Sequence, residues 1–131
     1  MERKIKVVYL DVRNGKEPVA MEIEDKLDSF YDLIGCSAID IVHRPIGGKD
    51  FKVIVDDMGL LKPNVIISAT SKRNFVELVG NLIIAGLETL DGELTSLSDE
   101  DVKKIINQCF IGRSMQRPFG YHLLRLDNGR A

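Results

Sequence analysis

Tryptophan is absent from this chain, and cysteine and histidine are scarce, at two residues each. Cys36 and Cys109 stand far apart and share no metal-ligand spacing, which argues against a metal cluster and against a disulfide framework. They read as reduced, mostly buried thiols, because a free cysteine behaves as a small hydrophobe. A catalytic thiol needs a basic, partly exposed setting, and neither has one. No apolar run approaches the ~20 residues that cross a bilayer, and the charged start M-E-R-K has no signal-peptide core behind it. The expectation is a soluble, cytoplasmic protein without a membrane contact. A phosphate loop is missing too: Gly47-Gly48-Lys49 lacks the spaced glycine and the Ser/Thr that complete such a site, and reads as a turn.

What is present suits one globular domain. With 131 residues, 44% hydrophobic and 29% charged, the chain lies well away from disordered compositions. At this length folding buries roughly two-thirds of the surface of the unfolded chain, enough for a core without staples. The net charge of −2 is unevenly placed. Residues 1–110 hold 14 Lys/Arg against 19 Asp/Glu, whereas residues 111–131 hold Arg113, Arg117, Arg125 and Arg130 against Asp127 alone.

Residues 4–10 alternate at Ile5, Val7 and Tyr9, with Val8 and Leu10 apolar on the other side, which predicts a strand covered on both faces. Asn14-Gly15 signals a tight hairpin turn, and the return strand places Val19, Met21 and Ile23 inward. Leu27, Phe30, Tyr31 and Ile34 share one helical face between Asp25 as N-cap and Gly35 as left-handed C-cap. A second hairpin follows, alternating at Ile39, Ile41 and His43, turning loosely at residues 45–48 and resuming at Phe51, Val53 and Val55. Asp56 to Gly59 form a turn, residues 65–68 a short strand, and residues 69–75 a polar, basic loop. Residues 76–87, apolar but broken by Gly80 and Gly86, predict an interrupted strand. Ser98 caps a last helix with Asp99, Glu100 and Asp101 in its first turn; Val102, Ile105, Ile106 and Cys109 form its buried stripe, and Lys103 and Lys104 face water. The order predicts a single α+β domain over residues 1–110, with a mixed or mostly antiparallel sheet, two helices packed on one face, and the ββαββ opening of a β-grasp. Residues 111–131 form a basic and aromatic C-terminal extension that docks as a short strand or stays loose.

No catalytic constellation or cofactor motif emerges. Asp56-Asp57-x-Gly59 lacks the alternating ligands and bidentate Glu of a calcium loop, so no metal is assigned. His43 points toward the core or a sheet edge without a nucleophile beside it, and His122 sits in the basic extension. The one place where cations and rings interleave is the extension, where Arg113, Arg117, Tyr121 and Arg125 are candidates for nucleic-acid binding, with Arg on phosphates and rings on bases. The alternative is that Phe119, Tyr121, Leu123, Leu124 and Leu126 cover a sheet edge while the Arg heads reach water.

Three stretches carry a family resemblance: V-D-D-M-G-L-L-K-P-N (residues 55–64), V-G-N-L-I-I-A-G-L (79–87) and S-L-S-D-E-D-V (96–102). Together they resemble the family catalogued as domain of unknown function 3846, over most of residues 4–108. The resemblance implies a habitat in bacteria, phages and mobile elements, and no chemistry or site residues. Small acidic domains of that habitat act by binding. The expected function is therefore a non-enzymatic protein-interaction module, an inhibitor or adaptor acting on a host protein. A nucleic-acid-binding accessory domain and a small-ligand binder are the alternatives. An exposed sheet edge would also allow a homodimer.

Overall fold

The computed structural model describes residues 3–127, which hold nine strands, two α-helices and one 3₁₀ turn. The strands are β1 (Lys4–Leu10), β2 (Val19–Glu24), β3 (Ile39–Ile46), β4 (Lys49–Asp56), β5 (Ile67–Thr70), β6 (Val76–Val79), β7 (Leu82–Ala85), β8 (Cys109–Gly112) and β9 (Tyr121–Arg125); α1 spans Leu27–Ile34 and α2 Asp99–Asn107. They build two sheets, ordered β2-β1-β7-β4-β3 and β6-β5-β9-β8. Every pairing is antiparallel except β5 with β9. The fold is α+β in one small domain, opening in the expected ββαββ order, with β7 inserted between β1 and β4.

The layering differs from the expected single sheet with both helices on one face. Alternate residues of the five-stranded sheet enter two separate cores. Val8, Leu10, Phe51, Val53, Leu82 and Ile84 pack with Leu123 and Leu124 of the second sheet, with Leu126 just beyond it, and with Ile105 of α2. Ile5, Val7, Ile54, Ile83 and Ala85 pack instead with Phe30 and Ile34 of α1 and with Leu94. The two helices thus seal opposite faces, which is why β1, β4 and β7 are apolar at consecutive positions. Within the C-terminal segment, β9 lies between β5 and β8 and Leu124 is fully buried. Arg130 lies outside the described residues.

The hairpins exchange their expected turns. Between β1 and β2 only Gly15 has positive φ (64°), and the connection runs from Asp11 to Pro18. Asp11 organises it, its carboxylate accepting the backbone and side-chain N–H groups of Asn14 at 3.2 and 2.8 Å. The β3–β4 connection is the tight one: Gly47 and Gly48, at φ 59° and 85°, make the two-residue turn that needs both positive values. Pro45 lies within β3, where its missing N–H is tolerated because β3 is an edge strand.

Other local corrections follow from edges and ends. Lys26, not Asp25, occupies the N-cap of α1, with no side-chain cap bond. On edge strands β2 and β3, Val19 and Ile41 are exposed, because α1 is too short to cover the sheet margins. His43 is exposed and pairs with Asp50 at 3.4 Å. Ile106 is exposed, and Cys109 begins β8 rather than extending the stripe of α2. The Ser98 cap is present as a full capping box: Ser98 Oγ accepts the Asp101 N–H at 3.1 Å and Asp101 accepts the Ser98 N–H at 3.2 Å.

Candidate functional site: an apolar cleft at an open strand edge

The interrupted strand at residues 76–85 decides where a cleft forms. Gly80, at φ 76°, turns the chain so that β6 joins one sheet and β7 the other. β6 becomes the outermost strand of the four-stranded sheet and faces the segment that leaves β4. That segment is shaped by Asp56, whose buried carboxylate accepts the Met58 N–H at 2.9 Å and meets the Lys62 ammonium at 2.5 Å. The resulting 3₁₀ turn, Gly59–Leu61, leaves Leu60 and Leu61 about three-quarters exposed (75% and 77%) and Met58 partly so. Gly59 approaches the opposite wall closely, since a Cβ there would lie 3.2 Å from Val79 Cγ2.

Between these walls lies a cleft of about 390 Å³, lined by residues 55–61 and 76–79. Its polar lining is Asp56, Asp57 and Glu77, and its apolar wall includes the exposed Met58, Leu60, Leu61 and Val76. A second cleft of about 300 Å³ adjoins it across Asp56 and Gly59, and includes Arg13, Lys62 and Asn64. Among the described residues no group of three or more His, Cys, Asp or Glu is placed to hold a metal ion.

The four candidates in the C-terminal segment do not converge. Arg113 is exposed on the β8–β9 connection. Arg117 folds onto the β1–β2 connection, where Nε donates to the Val12 carbonyl at 2.9 Å and a terminal nitrogen donates to the Arg13 carbonyl. Tyr121 is buried, its hydroxyl donating to the Ile67 carbonyl and its pKa raised by burial, so its ring is covered. Arg125 stacks over Phe110 at 4.3 Å and donates to Asn74 Oδ1 at 3.1 Å. His122 is half-buried beside Cys109 and Ile106. Burial pushes the Cys109 thiol up to about 12 and raises Cys36 as well, so neither is poised as a thiolate.

Sequence reasoning assigned no role to Leu60, Leu61 and Val76, which stand exposed here. Their exposure follows from the split at Gly80, and no local signal announces it. Lys72 and Arg73 were assigned to a basic loop, but their proximity to Arg125 arises only from the parallel pairing of β5 with β9.

A family model described as Domain of unknown function (DUF3846) matches residues 5–109, and the chain belongs to that family. No curated protein and no solved structure matches it. No helix among the described residues is long and apolar enough to cross a membrane.

Proposed function

We propose that this protein is a non-enzymatic interaction module that receives an extended segment of a partner protein in the cleft between β6 and the 3₁₀ turn. The observation that carries this is the coincidence of an open strand edge with an exposed apolar wall. β6 ends its sheet, so an extended segment laid along it gains main-chain hydrogen bonds. Side chains at alternate positions of that segment meet Met58, Leu60, Leu61 and Val76. Asp57 and Glu77 line the cleft and, among the described residues, no lysine or arginine does, which favours a segment carrying a cation among apolar residues. The setting that fits is the reducing cytoplasm of a bacterium, with the module an inhibitor or adaptor of phage or mobile-element type acting on a host protein. Unpaired Cys36 and Cys109 suit that compartment.

Selection of linear peptides from a random displayed library, against the purified chain, tests the proposal. The expected winners alternate apolar residues and carry a Lys or Arg. Leu60→Asp and Val76→Asp each abolish their binding while the circular dichroism of the protein is unchanged. No enrichment, or winners indifferent to both substitutions, would refute it. The size of the cleft favours a second occupant class, since pockets for small molecules begin at roughly 300 Å³; a ligand retained in native mass spectrometry and displaced by no selected peptide would favour that class.

A further inference from the structure

We infer that the loop joining β5 to β6, together with Arg125, is a contact site for the phosphodiester backbone of single-stranded nucleic acid. The loop reads Ser71-Lys72-Arg73-Asn74-Phe75 and is tightly tied. Ser71 donates its N–H to the Phe75 carbonyl at 2.9 Å, accepts the Asn74 N–H on its own carbonyl at 2.9 Å, and takes the Phe75 N–H on its hydroxyl at 3.2 Å. Asn74 holds a left-handed conformation, φ 67°, which an Asn tolerates better than most residues. Lys72 and Arg73 are exposed at the tip and form no ion pair among the described residues.

Arg125 is brought there by the parallel ladder, in which it stands opposite Thr70. Its guanidinium is fixed on two sides, stacked at 4.3 Å over Phe110 and bonded at 3.1 Å to Asn74 Oδ1. A guanidinium held in this way loses little freedom when it engages a phosphate; its Nε is buried, so the terminal nitrogens are the donors that match phosphate oxygens. Asp127, two residues on, has its carboxylate on the Gly48 N–H at 2.5 Å. Glu77 stands on β6 and lines the cleft. Phe75 closes the loop and is 57% exposed, offering a ring on which an unpaired base stacks. Three cations, one preorganised, with an exposed ring on the same loop, suit a flexible single strand. The site retains Arg125 from the C-terminal candidates and joins it to residues some fifty positions earlier in the sequence.

Fluorescence anisotropy of a labelled oligothymidylate with the full chain, from about 50 to 200 mM salt, tests this. The double variant Lys72→Ala/Arg73→Ala is expected to weaken binding about tenfold and to flatten the log–log salt slope by about 1.4, roughly 0.7 for each phosphate contact on a single strand. Phe75→Ala weakens binding without changing the slope. Arg125→Lys, which keeps the charge but not the stacked fork, gives an intermediate loss, and Arg113→Ala gives none. Absence of binding at low salt would overturn the inference. So would an equal loss from Arg113→Ala, or heparin binding as tightly as the oligonucleotide with Phe75→Ala neutral. None of these outcomes depends on whether the cleft takes a peptide.

Discussion

Leu124 tests whether the C-terminal strand is part of the core or an attachment to it. The side chain is fully buried between the sheets, on a strand flanked on both sides by β5 and β8. Substitution by alanine removes three carbons, a transfer loss of about 2 kcal/mol at roughly 0.8 kcal/mol per methylene. The flanking ladders keep the site from collapsing, so a residual cavity adds about 1–2 kcal/mol. The expected destabilisation is therefore about 3–4 kcal/mol, a large share of the 5–15 kcal/mol typical of a domain. Urea unfolding followed by circular dichroism reads it as a drop in the midpoint of about 1.5–2 M, for a slope near 2 kcal/mol/M. Phe119→Ala, at a side chain 98% exposed on the same segment, is the control and should shift stability by no more than about 0.5 kcal/mol. Equal, small effects from both substitutions would show that residues 121–126 do not pack as described, and the two-core layering would fall with them.

Two further outcomes follow from the capping box and from Cys109. Burial acts to raise the Asp101 carboxyl, but hydrogen bonds from the Lys49 ammonium at 2.8 Å and from Ser98 outweigh it and hold the group below its ordinary value. A pKa lowered by folding contributes stability above the unfolded value of about 3.9, and that stability is lost as pH falls through the folded value. Asp101→Asn should therefore be less stable at neutral pH and lose less on acidification than the parent; urea midpoints that fall in parallel for both proteins would contradict this. Cys109, with its thiol pushed up to about 12 by burial, should resist iodoacetamide in the native protein and react once urea unfolds it. Peptide mass spectrometry showing native modification at the unfolded rate would exclude the half-buried placement.

The open edge and the basic loop adjoin one another, because the loop residue Phe75 leads directly into β6. Their chemistries are opposite: carboxylates and leucines line the cleft, while Lys72 and Arg73 are exposed on the loop to which Arg125 is bonded through Asn74. An acidic chain overall thus presents one locally cationic surface, which net charge alone conceals. Substitutions at Leu60 and at Lys72/Arg73 separate the two surfaces experimentally.

Local chemistry was legible in the residues themselves. Period-two alternation marked β1 and β4, Ser98 with Asp101 marked the start of α2, and Gly35 marked the end of α1, because each depends only on neighbours within a turn or a strand pair. The four arginine and tyrosine candidates interleave cations and rings along the sequence, which is a poor guide to nearness in space once a segment becomes a strand. Tyr121 and Arg125 are separated along β9 and meet different surroundings, a buried carbonyl for one and an aromatic ring for the other.

Tertiary structure alone decided the rest. Whether residues 76–85 form one strand or two depends on which sheet each half can complete, and Gly80 permits either answer. The exposure of Leu60 and Leu61 depends on β6 standing at an edge rather than inside a sheet. The burial of Leu123, Leu124 and Leu126 depends on β9 finding a place between β5 and β8. Alternation, caps and turns are short-range preferences that the sequence by itself determined. Strand order, the pair of cores, the cleft and the meeting of Arg125 with the residue 71–75 loop are long-range pairings, selected by what the assembled sheets can bury together.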